Sequence, residues 1–134
     1  MRVHWLALAL IPAAYAQTSS KCADLTNFKI PGVPMVITKA VTIPAAASSG
    51  VATAETSATS AMIPSHCQAD GMINQHKGPD GKTYGIGFSL ALPDTWNDRF
   101  LFQGGGGYNG SVRPPLGGAA SGDSPGLARG FATS

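Results

Sequence analysis

Four consecutive glycines, Gly104 to Gly107, close a short apolar run at residues 99–103 (RFLFQ), and no other feature restricts the fold as much. Glycine adopts left-handed and other rarely allowed dihedrals and exposes bare backbone, so neither helix nor regular strand continues through such a stretch. A strand ends there, in a loop whose amides can approach a ligand closely. The rest of the 134-residue chain suits that reading, since Gly 17 and Pro 10 favour turns and extended segments over helix. The length allows one small domain with a modest core.

The remaining elements follow from local pattern. Residues 35–43 (MVITKAVTI) are rich in β-branched side chains and lie between Pro34 and Pro44, which predicts a strand. Residues 45–61 form an Ala/Ser/Thr tract with Glu55 as its one charge, a low-complexity surface loop. Residues 66–74 (HCQADGMIN) read as a second strand, followed by a turn at Lys77-Gly78-Pro79-Asp80-Gly81. In residues 84–92, Ile86, Phe88, Leu90 and Leu92 alternate with Gly85, Gly87, Ser89 and Ala91. This period of two predicts a strand with one bulky face and one flat face against which another layer packs closely, in a hairpin closed near Gly81. Beyond a Gly/Pro-rich loop reaching Gly122, a short helix is expected at residues 124–129, and residues 130–134 open another strand.

The N-terminus carries an address. Met1 and Arg2 precede an apolar run from Val3 to Ile11, and Ala14-Tyr15-Ala16 has the small-x-small form of a signal-peptidase site. Residues 1–16 are therefore expected to be a removed signal peptide, because the run is far shorter than the ~20 residues of a membrane-spanning helix. The product is expected to be secreted, extracellular and not membrane-bound. A chain that is 12% charged with a net charge of +2 offers no basic surface for nucleic acid. Cys22 and Cys67 are the two cysteines, and an even count in an exported chain predicts a disulfide. No second Cys or His lies at metal-ligand spacing beside Cys22.

Three functions suit a glycine loop. Phosphate cradling of the Walker type needs Lys and Ser/Thr directly after the glycines, whereas Tyr108-Asn109-Gly110-Ser111 follows. A dinucleotide fingerprint leads into a helix, which Arg113-Pro114-Pro115 forbids. An oxyanion hole needs a glycine-rich turn just after a central strand, giving a backbone N–H from the β3 side of an α/β-hydrolase sheet. Residues 99–107 have that shape, and a plain flexible loop is the alternative.

Several separate motifs then carry a resemblance in order. They are Cys67 with Asp70-Gly71-Met72-Ile73; Asp80-Gly81-Lys82-Thr83-Tyr84-Gly85-Ile86-Gly87-Phe88; Leu92-Pro93 with Trp96; Arg99 through Gly107; and Leu127-Ala128-Arg129-Gly130-Phe131-Ala132. Together they resemble the opening of the tannase and feruloyl esterase family. The resemblance implies residues 17–134 as the N-terminal portion of an α/β-hydrolase catalytic domain, an α/β fold that is β-rich and incomplete here. It further implies a serine carboxylic ester hydrolase acting on small phenolic-acid esters, with Gly104, Gly105, Gly106 and Gly107 as oxyanion-loop candidates. The family's Ser-Asp-His triad is expected beyond Ser134, leaving no catalytic residue and no activity in this fragment. No cofactor or metal is expected here, although the family's lid domain can hold calcium. The alternative is a small secreted β-rich binding or structural protein without catalysis.

Two local patterns imitate catalytic ones. Gly122-Asp123-Ser124-Pro125-Gly126 matches G-x-S-x-G, but the residue after an elbow serine donates its N–H to the oxyanion, and Pro125 has none. Asp123 or Ser124 is instead expected to cap the short helix, with Pro125 in its first turn. His66-Cys67 resembles the family's late His-Cys pair but precedes the glycine loop, so His66 is expected at a surface or strand edge. His76 is expected to be solvated in a turn. Asn109-Gly110-Ser111 is a candidate N-glycosylation sequon, where a glycan at Asn109 would crowd the substrate of an intact enzyme; the same dipeptide also suits a tight turn.

Overall fold

The computed structural model describes residues 21–47, 61–104, 110–118 and 124–134. The expected signal peptide, most of the 45–61 tract, Gly105 to Gly107, Asn109, Gly122 and Asp123 lie outside the described residues.

Strand β1 runs over Met35–Ile43, between the two prolines that bracket it in the sequence. Two short strands, β2 (Ala46–Ala47) and β3 (Met62–Ile63), pair antiparallel, so the start of the Ala/Ser/Thr tract forms a small ladder with the residues just after it rather than only a loop. Strand β4 covers His66–Lys77 and β5 covers Thr83–Pro93, joined as an antiparallel hairpin in register from His66↔Pro93 to Lys77↔Thr83. Gly81 takes a φ of 77° in the connecting turn. There the Asp80 carboxylate accepts hydrogen bonds from the Lys82 N–H at 3.1 Å and the Tyr84 hydroxyl at 2.9 Å.

Strands β6 (Phe100–Leu101) and β7 (Ala132–Thr133) complete a five-stranded sheet in the order β1-β4-β5-β7-β6. The pairs β1/β4, β4/β5 and β5/β7 are antiparallel, and β6/β7 is parallel. The chain thus leaves β5, passes one strand position to make β6, and returns to lay β7 between them. Parallel neighbours need a long crossover connection, which here is the segment holding the glycine loop. Among the described residues, helix is confined to residues 21–23 running into a 3-10 turn at Asp24–Asn27, and to a 3-10 turn at Leu127–Arg129. The described part is β-rich with a mixed sheet, compatible with part of an α/β fold.

The core sits on the flat face of β5. Ala91 and Leu127 are fully buried and pack with Ile63, flanked by Leu116 and Ala128. Small side chains on β5 let this second layer approach to contact distance, as the alternation predicts. The bulky face packs less completely, and Ile86 stays 65% exposed. Phe88 on that face lies across Gly71, its register partner on β4. Cys22 and Cys67 are bonded with Cα atoms 5.6 Å apart, tying the first helical turn to β4.

The expectations for His66 and for the short helix need correction. His66 is buried, 3% exposed, because its Nδ1 pairs with the Pro64 carbonyl oxygen at 2.8 Å and β4 is covered at that end. The helix at 124–129 shortens to the 3-10 turn Leu127–Arg129, with Gly126 at its N-cap and no side-chain cap from Ser124. Backbone satisfies that helix start instead: Gly126 N–H donates to Gly117 O at 3.0 Å and Leu127 N–H to Leu116 O at 3.1 Å.

Candidate functional site

The glycine loop starts from a well-held strand. Ala132 N–H donates to Arg99 O at 3.0 Å, Ser134 N–H to Leu101 O at 3.0 Å, and Gln103 N–H to Ser134 O at 2.6 Å. These bonds carry β6 along β7 up to Gly104. Upstream, Asn97 clamps the two strand entrances together: its N–H donates to Gly130 O at 2.9 Å, its side-chain amide to Arg129 O at 2.9 Å, and its Oδ1 accepts from Arg99 N–H at 3.1 Å. Trp96 Nε1–H adds a bond to Arg99 O at 2.8 Å. Asp98, between them, takes a left-handed φ of 63°.

The far end of the loop returns to the same strand. Thr133, fully buried, donates its hydroxyl to Pro115 O. Gly117, at φ 73°, has room for no side chain, since a Cβ there would stand 2.9 Å from both Gly126 N and Thr133 Cγ2. Gly126 is equally confined, with a Cβ meeting Leu101 Cδ2 at 2.9 Å. The chain is therefore held on one side of the loop at Gln103, to Ser134 just past β7, and on the other at Pro115, to Thr133 of β7.

Of the four loop candidates, Gly104 is described. It is exposed, a Cβ on it would meet nothing within 4 Å, and its φ is not left-handed. Neither packing nor backbone conformation demands glycine at 104. The other three glycines lie outside the described residues, as does Asn109; its neighbour Gly110 takes a φ of 56°.

Neither His66 nor His76 is hydrogen-bonded to a serine among the described residues. His66 pairs with Pro64 O; His76, on β4 rather than in a turn, is exposed, pairs with Asn74 O at 2.8 Å and stacks on Tyr84 at 6.1 Å. Ser124 precedes Pro125, and the N–H of Gly126 is already given to Gly117 O. A serine does meet a carboxylate at Ser89–Asp70, 2.5 Å, with no histidine hydrogen-bonded to either. No three His, Cys, Asp or Glu side chains gather as metal ligands among the described residues.

Sequence reasoning located the glycine loop and missed what anchors it. Asn97 reads as an ordinary turn residue, and Thr133 as part of a strand just opening. Gly117 and Gly126 were the available signals, because an isolated glycine outside a tight turn marks a close backbone approach.

The family described as "Tannase and feruloyl esterase" matches residues 67–134. Over 81 residues, 60% of this chain and 13% of the relative, the chain is 41% identical to a mono(2-hydroxyethyl) terephthalate hydrolase of Piscinibacter sakaiensis. Over 43 residues, 32% of this chain and 8% of the relative, it is 46% identical to an uncharacterized esterase of Agrobacterium fabrum. The chain thus spans a small fraction of the length of the curated relatives it matches.

Proposed function

We propose that this chain, which belongs to the tannase and feruloyl esterase family, supplies the oxyanion side of a secreted carboxylic ester hydrolase. The substrates are esters of phenolic or related aromatic acids, and the reaction passes through a serine acyl-enzyme. One observation carries the reading: a strand paired in parallel to its neighbour leads toward the glycine loop, inside the matched region, with the flanking residues Gln103 and Pro115 bonded to Ser134 and Thr133. The openness around Gly104 supports it, because a glycine required by neither packing nor dihedral leaves close approach by a ligand as its use.

In this mechanism a loop N–H, from Gly105 or Gly106, donates to the oxygen of the tetrahedral intermediate. A donor aimed at that developing charge lowers the barrier by about 3–4 kcal/mol. Ser124 is not the nucleophile of this reading, since it is followed by a proline with no N–H to give. The acyl-enzyme forms on a serine that works with an acid and a histidine at this loop. The hydrolase relative, whose name specifies a terephthalate ester, supports an aromatic acyl group. The Cys22–Cys67 disulfide suits an oxidising, extracellular setting.

The test is a transplant. Residues 67–134 replace the matching segment of the Piscinibacter hydrolase, and hydrolysis of mono(2-hydroxyethyl) terephthalate, methyl gallate and methyl ferulate is measured. Retained turnover, undiminished by Ser124→Ala, is expected; a folded chimera that hydrolyses none of the three esters would overturn the assignment.

A further inference from the structure

The five-stranded sheet has two edges, β1 and β6, and they are guarded unequally. Strand β1 carries Lys39 and a register irregularity between Ile37 and Lys39, and the turn at Asp24–Asn27 packs against it. A charge, a bulge and a cover are the usual means of keeping a further strand away from an edge. The β6 edge differs: its centre, residues 100–102 (FLF), holds no charge and no proline, and its pairing with β7 runs without a register shift.

The backbone of this edge is open as well. Arg99 O and Leu101 O accept from β7 and its continuation, and Gln103 N–H donates to Ser134 O. Backbone groups alternate in direction along a strand, so the N–H and C=O of Phe100 and Phe102 point away from β7, where no strand lies among the described residues. Phe100 is 56% and Phe102 71% exposed. Phe100 also walls an apolar groove of about 460 Å³ with Leu90, Leu92, Pro93, Trp96 and Ala132, so the edge continues into an uncharged face.

We infer that the β6 edge pairs with the same edge of a second copy of this chain, antiparallel about a twofold axis at Leu101. The order of residues along the edge selects that partner. In this register Phe100 stands opposite Phe102 of the second copy, and Phe102 opposite its Phe100. Both are hydrogen-bonded pairs, which gives four N–H···O=C bonds across the joint. Directly opposed side chains share a face with Cβ atoms about 4.5–5.5 Å apart, so each pair of phenyl rings meets. Arg99 falls opposite Gln103 of the second copy, and no like charges are opposed. The contact is isologous and closes at two copies. Both glycine loops leave the joint at opposite ends, and the pairing does not depend on ester hydrolysis.

The test is sedimentation velocity of the purified, disulfide-bonded chain from about 5 µM to about 1 mM, where so short a joint should give half-association on the order of 100 µM. Over that range amide exchange at Phe100 and Phe102 should slow about threefold or more, while Ala132 and Ser134, whose N–H groups already bond β6, change little. Phe102→Pro deletes an outward N–H and no bond to β7, and Phe102→Lys sets a charge among the rings; each should weaken association about tenfold. Met62→Lys, which adds the same charge at an exposed position on β3, should leave it unchanged. A chain still monomeric at the highest concentration, assembly beyond two copies, or a dimer equally tight in both Phe102 variants would overturn the inference. The exchange pattern of the unaltered chain decides it even where a variant fails to fold.

Discussion

Replacing Gly71 by alanine should destabilise the chain, although the same change in an ordinary strand interior gains about 0.5–1 kcal/mol. The cause is the ring of Phe88. A Cβ at position 71 would stand 2.5 Å from Phe88 Cζ and 2.8 Å from Cε1, and it would also collide with the carbonyl oxygen of Val36 on β1. The ring can swing away, but the carbonyl belongs to the ladder and moves only if β1 and β4 separate. Overpacking of this kind costs about 1–3 kcal/mol, so the net loss should be about 1–2 kcal/mol. For a domain near this size that corresponds to a fall in melting temperature of roughly 4–16 °C. The assay is thermal and urea unfolding followed by far-UV circular dichroism at low protein concentration. Phe88→Leu in the Gly71→Ala background should restore part of the loss and not all, because it frees the ring contact and leaves the carbonyl contact. An alanine variant as stable as the parent would refute the packing of Phe88 across β4, and with it the register that makes them partners.

Reducing Cys22–Cys67, or changing both to serine, should lower stability by about 4 kcal/mol in the chain-entropy treatment, given their sequence separation of 45; a urea midpoint unchanged by reductant would contradict this. Asp80 has a carboxyl pKa held below its usual 3.8, first by the Tyr84 hydroxyl and then by the Lys82 N–H, while the Tyr84 pKa is raised above 10.0 by donating to that carboxylate. The depressed acid supports the turn above its unfolded pKa and stops doing so as pH falls through its folded value. The raised phenol supports it below 10.0 and stops as pH rises through its own folded value. The turn should therefore hold across the range between, and Tyr84→Phe should move the Asp80 titration upward by NMR; an unmoved titration would exclude the hydrogen bond. Asn97→Ala removes two side-chain hydrogen bonds from the clamp that joins the entrances of β6 and β7, and should speed amide exchange at Ala132 and Ser134 while leaving Gln68 to Asp70 unchanged. Uniform exchange in both regions would show that the clamp is not local.

Much of the antiparallel part was readable because its signals are local. Pro34 and Pro44 bracket β1, and the alternation along residues 84–92 fixed both strand and flat face. Strand β4 runs past Asn74 because pairing with Thr83 and Tyr84 carries a polar run that propensity alone assigns to a loop, through an irregularity where Asn74 takes a φ of 54°. The buried state of His66 was not readable, since a polar residue looks solvated until its ring partner, Pro64 O, is placed beside it. For the site, the glycines were visible and their anchorage was not. Thr133 to Pro115 and Asn97 to Arg129 join residues separated by 18 and 32 positions, and no period or spacing announces such bonds.

The central claim is that the loop after β6 works through its backbone N–H groups. In the transplanted hydrolase, each of Gly104 to Gly107 is changed in turn to proline, which deletes the N–H, and to alanine, which keeps it. Proline at one position, Gly105 or Gly106, should lower kcat by about 10²–10³ with KM little changed, while alanine there retains most of the activity. Four proline variants with turnover within a few-fold of the unaltered chimera would contradict the account and leave the glycines as a flexible loop only.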